Sequence, residues 1–301
     1  MILEISQRAR LVLVGILAVL AVLVALVDIG MFIAWAWRKE DVDAGRRPPL
    51  FARRWSLADV WIAAQVIVFV LLVLLGGASF VAFRRGAFGP DGSVSPLFLG
   101  IALLMQNVLL AGVPWAVIRY RYGLGLRDIG AWPPPRMRVA LRAAALGVAL
   151  VVVGNSAELL FDAVLKAAFP SAASSILAFN KQVTAEGLIG KKMTPALFAT
   201  MLLGAGVLAP IGEEMFFRGF LYNSSKRRFG VTWGTLISAA AFGVAHAGPV
   251  AMPVIFLMGV VLAVAYERTR SLWFTGIMHA TNNCIGVAGA YLYVLSHHAL
   301  R

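Results

Sequence analysis

The sequence is poor in two things on which soluble proteins depend. It has one cysteine, Cys284, in 301 residues. An intrachain disulfide is therefore excluded, and so is a metal cluster built on cysteine. Only 14% of the residues are charged, while 60% are hydrophobic. Soluble domains run at roughly 45–50% apolar and about 25% charged, so a soluble globular fold is excluded too. Acidic residues are scarce: 14 Asp and Glu against 27 Lys and Arg leave a net charge of +13. That imbalance does not mark a nucleic-acid binder. The basic residues fall in short segments between apolar runs, as the positive-inside rule places them, and no separate basic domain with aromatics is present for bases to stack on.

What the sequence has in abundance is long apolar runs. A helix needs about 20 apolar residues to cross the hydrocarbon core, and lipid offers backbone groups no partner outside a helix or a closed barrel. Eight candidate spans follow: 11–37, 60–83, 97–118, 139–156, 195–222, 232–247, 250–266 and 271–295. The expected fold is all-α, a polytopic membrane bundle of about eight helices. The run from Leu11 to Trp37 is too long for a cleaved signal and reads as a retained first span. Thr194-Pro195 reads as an N-cap followed by proline at the first helical position. Gly248-Pro249 separates the sixth span from the seventh.

Basic residues alternate from loop to loop. Arg38, Lys39, Arg46, Arg47, Arg53 and Arg54 crowd the first loop; Arg84 and Arg85 alone stand in the second. Arg119, Arg121, Arg127, Arg136 and Arg138 fill the third, and Lys226, Arg227 and Arg228 the loop after span five. The bias predicts cytoplasmic odd-numbered loops and both termini outside. The stretch 157–194 is the least membrane-like. Glu158, Asp162 and Lys166 recur every four residues, which fits an amphipathic surface segment or a continuation of span four. Composition rich in Arg, Ala, Val and Gly points to a prokaryotic plasma membrane.

An ionisable residue inside a span costs about 2.5–3.5 kcal/mol, so each needs a reason. The last four spans concentrate them: Glu213, Glu214 and Arg218 in span five, His246 in span six, His279 with Asn283 in span eight. Glu214 and Arg218 are four apart and face the same way, which predicts an internal ion pair. Glu213 points about 100° away and is left as the carboxylate free to act as general base or acid. Phe242 lies four before His246 and shares its face, where it excludes water and steadies the ring. His279 and Asn283 are likewise four apart, two donors suited to an oxyanion hole. At about 1.5 Å per residue, Glu213 lies roughly 20 Å from Lys226, and Asn283 roughly 20 Å from Arg270. The four side chains are therefore expected at one depth near mid-membrane.

Glu213-Glu214-x-x-x-Arg218, Phe242-x-x-x-His246 and His279-x-x-x-Asn283 together resemble the CPBP family of intramembrane peptidases, also called the CAAX protease and bacteriocin-processing or Abi family. The resemblance covers about residues 193–290. It implies hydrolysis of a peptide bond in a membrane-associated peptide or protein. By resemblance, Glu213 and His246 activate a water, His279 and Asn283 stabilise the oxyanion, and Glu214 and Arg218, with Phe242, support the site. The expected organisation is 1–192, N-terminal spans; 193–290, catalytic core; 291–301, tail. A metal-free mechanism is favoured, because no His-Glu-x-x-His is present. The alternative is zinc held by Glu213, His246 and His279 with an open fourth position. A transporter or a non-catalytic membrane scaffold are the competing functions; neither the paired broken helices of the first nor lost motif residues of the second are seen. Asp28, Gln106, Asn107, Cys284, His297 and His298 are read as packing, interhelical hydrogen bonds or solvated groups.

Overall fold

The computed structural model describes residues 24, 26–28, 30, 54–84, 95–183, 194–246 and 250–299. The chain resolves into two compact units, Met1–Arg53 and Arg54–Arg301. In the first unit, residues 24, 26–28 and 30 are helical, and the rest of the expected span 11–37 lies outside the described residues, as does Gly248-Pro249.

The second unit is all-α. Helix α1, Leu57–Arg84, opens on a reciprocal cap: Ser56 N donates to Asp59 Oδ2 at 2.7 Å, and Asp59 N to Ser56 Oγ at 3.4 Å. Helix α2, Pro96–Ala116, has Ser95 as its N-cap and proline at N1. Its internal Pro114 cannot donate to the preceding turn, and a π-helical turn, Val117–Arg121, follows. Helix α3 runs unbroken through Met137–Ala168. Glu158, Asp162 and Lys166 therefore ride on the end of span four, the continuation allowed for above, and Pro170 then starts α4, Pro170–Val183.

The stretch Pro195–Val244 is helical but for a kink at Gly230. It comprises α5 (Pro195–Met201), a π-helical segment (Leu202–Leu208), α6 (Ala209–Glu214), a second π-helical segment (Met215–Tyr222) and α7 (Asn223–Val244). Thr194 caps it, its Oγ1 accepting from Leu197 N at 3.2 Å. A basic loop was expected around Lys226, Arg227 and Arg228. Instead those residues are helical, and the chain reverses at Gly230 alone, whose φ of 85° and ψ of 173° an L side chain rarely adopts. After the reversal a Cβ at Gly234 would meet Lys226, Ser238 Oγ donates to Phe217 O at 2.8 Å, and Phe242 packs edge-on to Phe217. Lys226 is held in place by Glu267, 2.7 Å away on the next helix.

Helix α8, Ala251–Thr269, ends at Arg270, whose φ is 53°. Helix α9 is Leu272–Ala299. Gly259 of α8 lies close enough to α7 that a Cβ would stand 3.0 Å from Ala239 Cα. A Cβ on Gly147 of α3 would stand 2.7 Å from Thr281 Cβ of α9. Such glycines let helix backbones approach where no hydrophobic driving force separates helix from lipid.

Among the described residues five stretches are long and apolar enough to cross a membrane: Leu57–Leu74, Pro96–Arg121, Met137–Ala168, Pro195–Val244 and Ala251–Thr269. Large apolar side chains such as Phe69, Leu72 and Val152 are more than half exposed on them, as lipid-facing residues are. The chain is an integral membrane protein. Helix α9 has the length but not the apolarity, and His279, Asn282 and Asn283 are part of the reason. The core centres on Phe216, Phe217, Phe220, Tyr222, Phe242 and Tyr266.

Candidate active site

The short helix α6 carries the sequence Ala-Pro-Ile-Gly-Glu-Glu between two π-helical segments. Each π turn takes an extra residue and so rotates the faces that follow it. The first of them ends at a proline. Ala209 N donates to Gly204 O, so the next bond in that pattern runs from residue 210 to Ala205 O. Residue 210 is proline and has no N–H. Asn283 of α9 supplies the donor instead: its Nδ2 reaches Ala205 O at 3.0 Å. Sequence reading paired Asn283 with His279 and gave no sign of this bond. One amide hydrogen is thereby committed, and the other remains.

Glu213, Glu214, Arg218 and His279 are buried, Arg218 completely. The expected ion pair is present, with Arg218 Nη1 3.0 Å from Glu214 Oε1. A second guanidinium nitrogen, Nη2, donates to Gly259 O of α8 at 3.4 Å. Taking two charges out of water is costly, and removing one partner costs more than removing both. The pair therefore acts as one unit.

His279 stands between the two glutamates. Its Nδ1 is 3.1 Å from Glu214 Oε1, and its Nε2 is 3.6 Å from Glu213 Oε2. A carboxylate only accepts, so the near contact places a hydrogen on Nδ1. Nε2 of a neutral ring then carries a lone pair and faces another acceptor. At 3.6 Å that contact is too long for a hydrogen bond. Glu213 Oε2 receives no hydrogen bond from any described protein group.

Phe242 organises the opposite side. Its ring centre is 4.8 Å from that of His246 and 5.5 Å from that of His279, edge-on to both. The Arg218 guanidinium carbon is 4.4 Å from the same ring centre. Phe242 O lies 2.8 Å from His246 Nδ1. A carbonyl oxygen accepts only, so Nδ1 carries the hydrogen and Nε2 of the neutral ring is left as an acceptor. His246 is half-buried, at the end of its helix.

The geometry thus joins Glu213, Glu214, Arg218 and His279 directly, and Phe242 and His246 through the Phe242 ring. Asn283 lies one turn beyond His279 on α9. Among the described residues no three His, Cys, Asp or Glu side chains are grouped so as to hold a metal ion. Nδ1 of His279 faces a carboxylate and Nδ1 of His246 a carbonyl, which leaves the two Nε2 lone pairs and the Glu213 carboxylate as the groups the zinc alternative would use.

Comparison with known proteins bears on the same segment. Residues 195–285 match the family model described as type II CAAX prenyl endopeptidase Rce1-like. A Bacillus subtilis (strain 168) protein named "Putative membrane peptidase YdiL" is 28% identical over 83 residues, 28% of this chain and 34% of that protein. An Escherichia coli protein named "Uncharacterized 24.3 kDa protein" is 31% identical over 105 residues, 33% of this chain and 48% of that protein. The match spans less than half the length of either relative. No solved structure matches the chain.

Proposed function

We propose that this chain, whose segment 195–285 is similar to the Rce1-like CAAX prenyl endopeptidases, is an intramembrane endopeptidase that uses Glu213 to activate water. The observation that carries the reading is His279 held between two buried glutamates, one neutralised by Arg218 and the other with an oxygen, Oε2, that receives no hydrogen bond from any described group.

Glu213 takes a proton from the water as its oxygen attacks the peptide carbonyl carbon. The acceptor lone pair on His246 Nε2 holds the same water. Negative charge develops on the carbonyl oxygen, where the second N–H of Asn283 donates and where His279, one turn away on the same helix, is the neighbouring group. Preorganised donors of this kind contribute about 10²–10³ in rate each. The C–N bond then breaks, and Glu213 returns its proton to the leaving amine. Glu214 and Arg218 take no part in the transfer; they fix the ring of His279. No metal enters this sequence. The substrate class follows the family description: a C-terminal peptide bearing a prenylated cysteine, already resident in the bilayer.

The test is reconstitution of the full chain in proteoliposomes with a farnesylated peptide ending in Cys-aliphatic-aliphatic-X, and with its unprenylated twin. Mass spectrometry reads release of the last three residues. Cleavage is expected for the wild type and none for Glu213→Gln or His246→Ala. Full cleavage by both variants would falsify the reading. Cleavage abolished by chelation and restored by zinc would replace it with the metal-dependent form.

A further inference from the structure

Two asparagines stand side by side on α9, and only the second falls in one of the three motifs. Neighbouring residues of a helix point about 100° apart, so nothing in their spacing joins Asn282 to Asn283. They are joined nonetheless: Asn282 Nδ2 donates to Asn283 Oδ1 at 3.1 Å. Both residues are half-buried, on the helix that bears His279. An asparagine in a membrane helix ordinarily hydrogen bonds across to another helix. Asn283 does so, through Ala205 O, whereas Asn282 turns to its neighbour.

The two bonds fix the amide of Asn283 in direction and in sense. Ala205 O accepts only, so the atom facing it is the nitrogen, Nδ2. The amide oxygen then lies on the other side. It too accepts only, and Asn282 presents a nitrogen to it. A carboxamide is planar. Tied at both its nitrogen and its oxygen, it neither flips nor swings, and its remaining N–H has one direction. Tied at the nitrogen alone, it would keep its sense but turn about the bond to Ala205 O, and that N–H would sweep through an arc. A bond accepted at Oδ1 also polarises the amide and strengthens the N–H as a donor.

We propose that Asn282 is a positioning residue for the reaction: by donating to Asn283 Oδ1, it holds the remaining N–H of Asn283 on the developing oxyanion. Asn282 touches neither the water nor the peptide, and it gains and loses no proton. The charge that this N–H meets builds up only in the transition state, so the effect falls on the chemical step and not on binding. The inference rests on the peptidase reading given above and adds a residue to it.

The experiment uses the full chain in proteoliposomes with the farnesylated peptide. Asn282→Leu keeps the side chain's size and removes the donor; Asn282→Gln keeps an amide donor on a longer stem. The leucine variant is expected to lose roughly tenfold to a hundredfold in kcat, the size of effect a misplaced group gives, with KM unchanged. The glutamine variant is expected to recover most of that loss, which a defect of packing alone would not allow. Thermal unfolding in detergent checks folding, and Asn282→Ala replaces the leucine variant if the latter does not fold. Wild-type kcat in a folded Asn282→Leu overturns the proposal. So does a loss that appears in KM alone, a glutamine variant no faster than the leucine one, or failure of both apolar variants to fold, which assigns Asn282 to packing. If Glu213→Gln also cleaves at the wild-type rate, the peptidase reading itself has failed. If Glu213→Gln is dead while Asn282→Leu is normal, only the role of Asn282 has.

Discussion

The guanidinium carbon of Arg218 stands 4.4 Å from the centre of the Phe242 ring. The face of that ring covers the buried charge, and its edges meet both imidazoles. A desolvated contact of a cation with an aromatic face contributes about 2 kcal/mol. Phe242→Leu is therefore expected to lower stability by about 2 kcal/mol and to lower peptide cleavage more than substrate binding. Thermal unfolding in detergent and a kcat–KM split measure the two. Unchanged unfolding would mean that the ring does not hold the charge.

Glu214 and Arg218 make a second prediction. Glu214→Gln leaves the guanidinium buried without its carboxylate, which costs about 3–5 kcal/mol. Replacing both, as Glu214→Gln with Arg218→Met, removes the stranded charge and is expected to restore part of that loss. Unfolding of the two single variants and the double variant reads the coupling. Strict additivity of the single effects would sink the claim that they act as one unit.

Gly130 carries a third. Its φ is 73°, and a Cβ there would overlap the carbonyl oxygen of Arg270. Gly130 O accepts from Leu272 N at 2.9 Å, Ile129 O from Tyr266 Oη at 3.0 Å, and Ala131 O from Trp273 Nε1 at 2.9 Å. These bonds clasp the segment before α3 to the end of α8 and the start of α9. Gly130→Ala is expected to cost more than about 1 kcal/mol, both through strain and through the displaced contact. A melting temperature equal to that of the wild type would contradict the clasp.

A pH dependence follows from Tyr122. Burial, and then the hydrogen bond its phenol donates to Asp59 Oδ2 at 2.7 Å, push its pKa up from 10.0 to about 12. A pKa raised by folding means that the folded state favours the protonated phenol. The stabilisation is complete below 10.0 and is lost as pH rises through about 12. Unfolding followed from neutral to strongly alkaline pH should show that loss, and Tyr122→Phe should remove this part of it. An identical alkaline profile in both proteins would refute the assignment.

Much of the site was legible in the sequence because charge in an apolar run is conspicuous. Glu214 and Arg218 pair as their spacing predicts, and Phe242 covers His246. The helices were legible for the same reason, with α1, α2, α8 and α9 within a few residues of the expected spans. Other features left no such mark. The bond from Asn283 to Ala205 exists because Pro210 lacks a hydrogen on another helix. A Cβ on Gly212 would stand 2.9 Å from Asn107 O of α2, a contact that depends on a close approach between helices distant in sequence. His279 reaches both glutamates on α6, which stands between two π-helical segments that the apolar pattern did not mark. The reversal at Gly230 was read as a loop because three basic residues precede it; Glu267, on a later helix, is what holds Lys226 in a helical turn.

The glycine contacts at 147 and 212 set a limit on how this protein can be divided. The stretch that resembles known peptidases begins at Pro195, but α2 backs one wall of its carboxylate pocket and α3 lies against the helix that bears both His279 and Asn283. A chimera that transplants only 195–285 into another membrane scaffold would carry every motif and arrive with those two walls missing. Exchange of substrate preference between such proteins therefore has to move the upstream helices together with the motifs, or leave both in place.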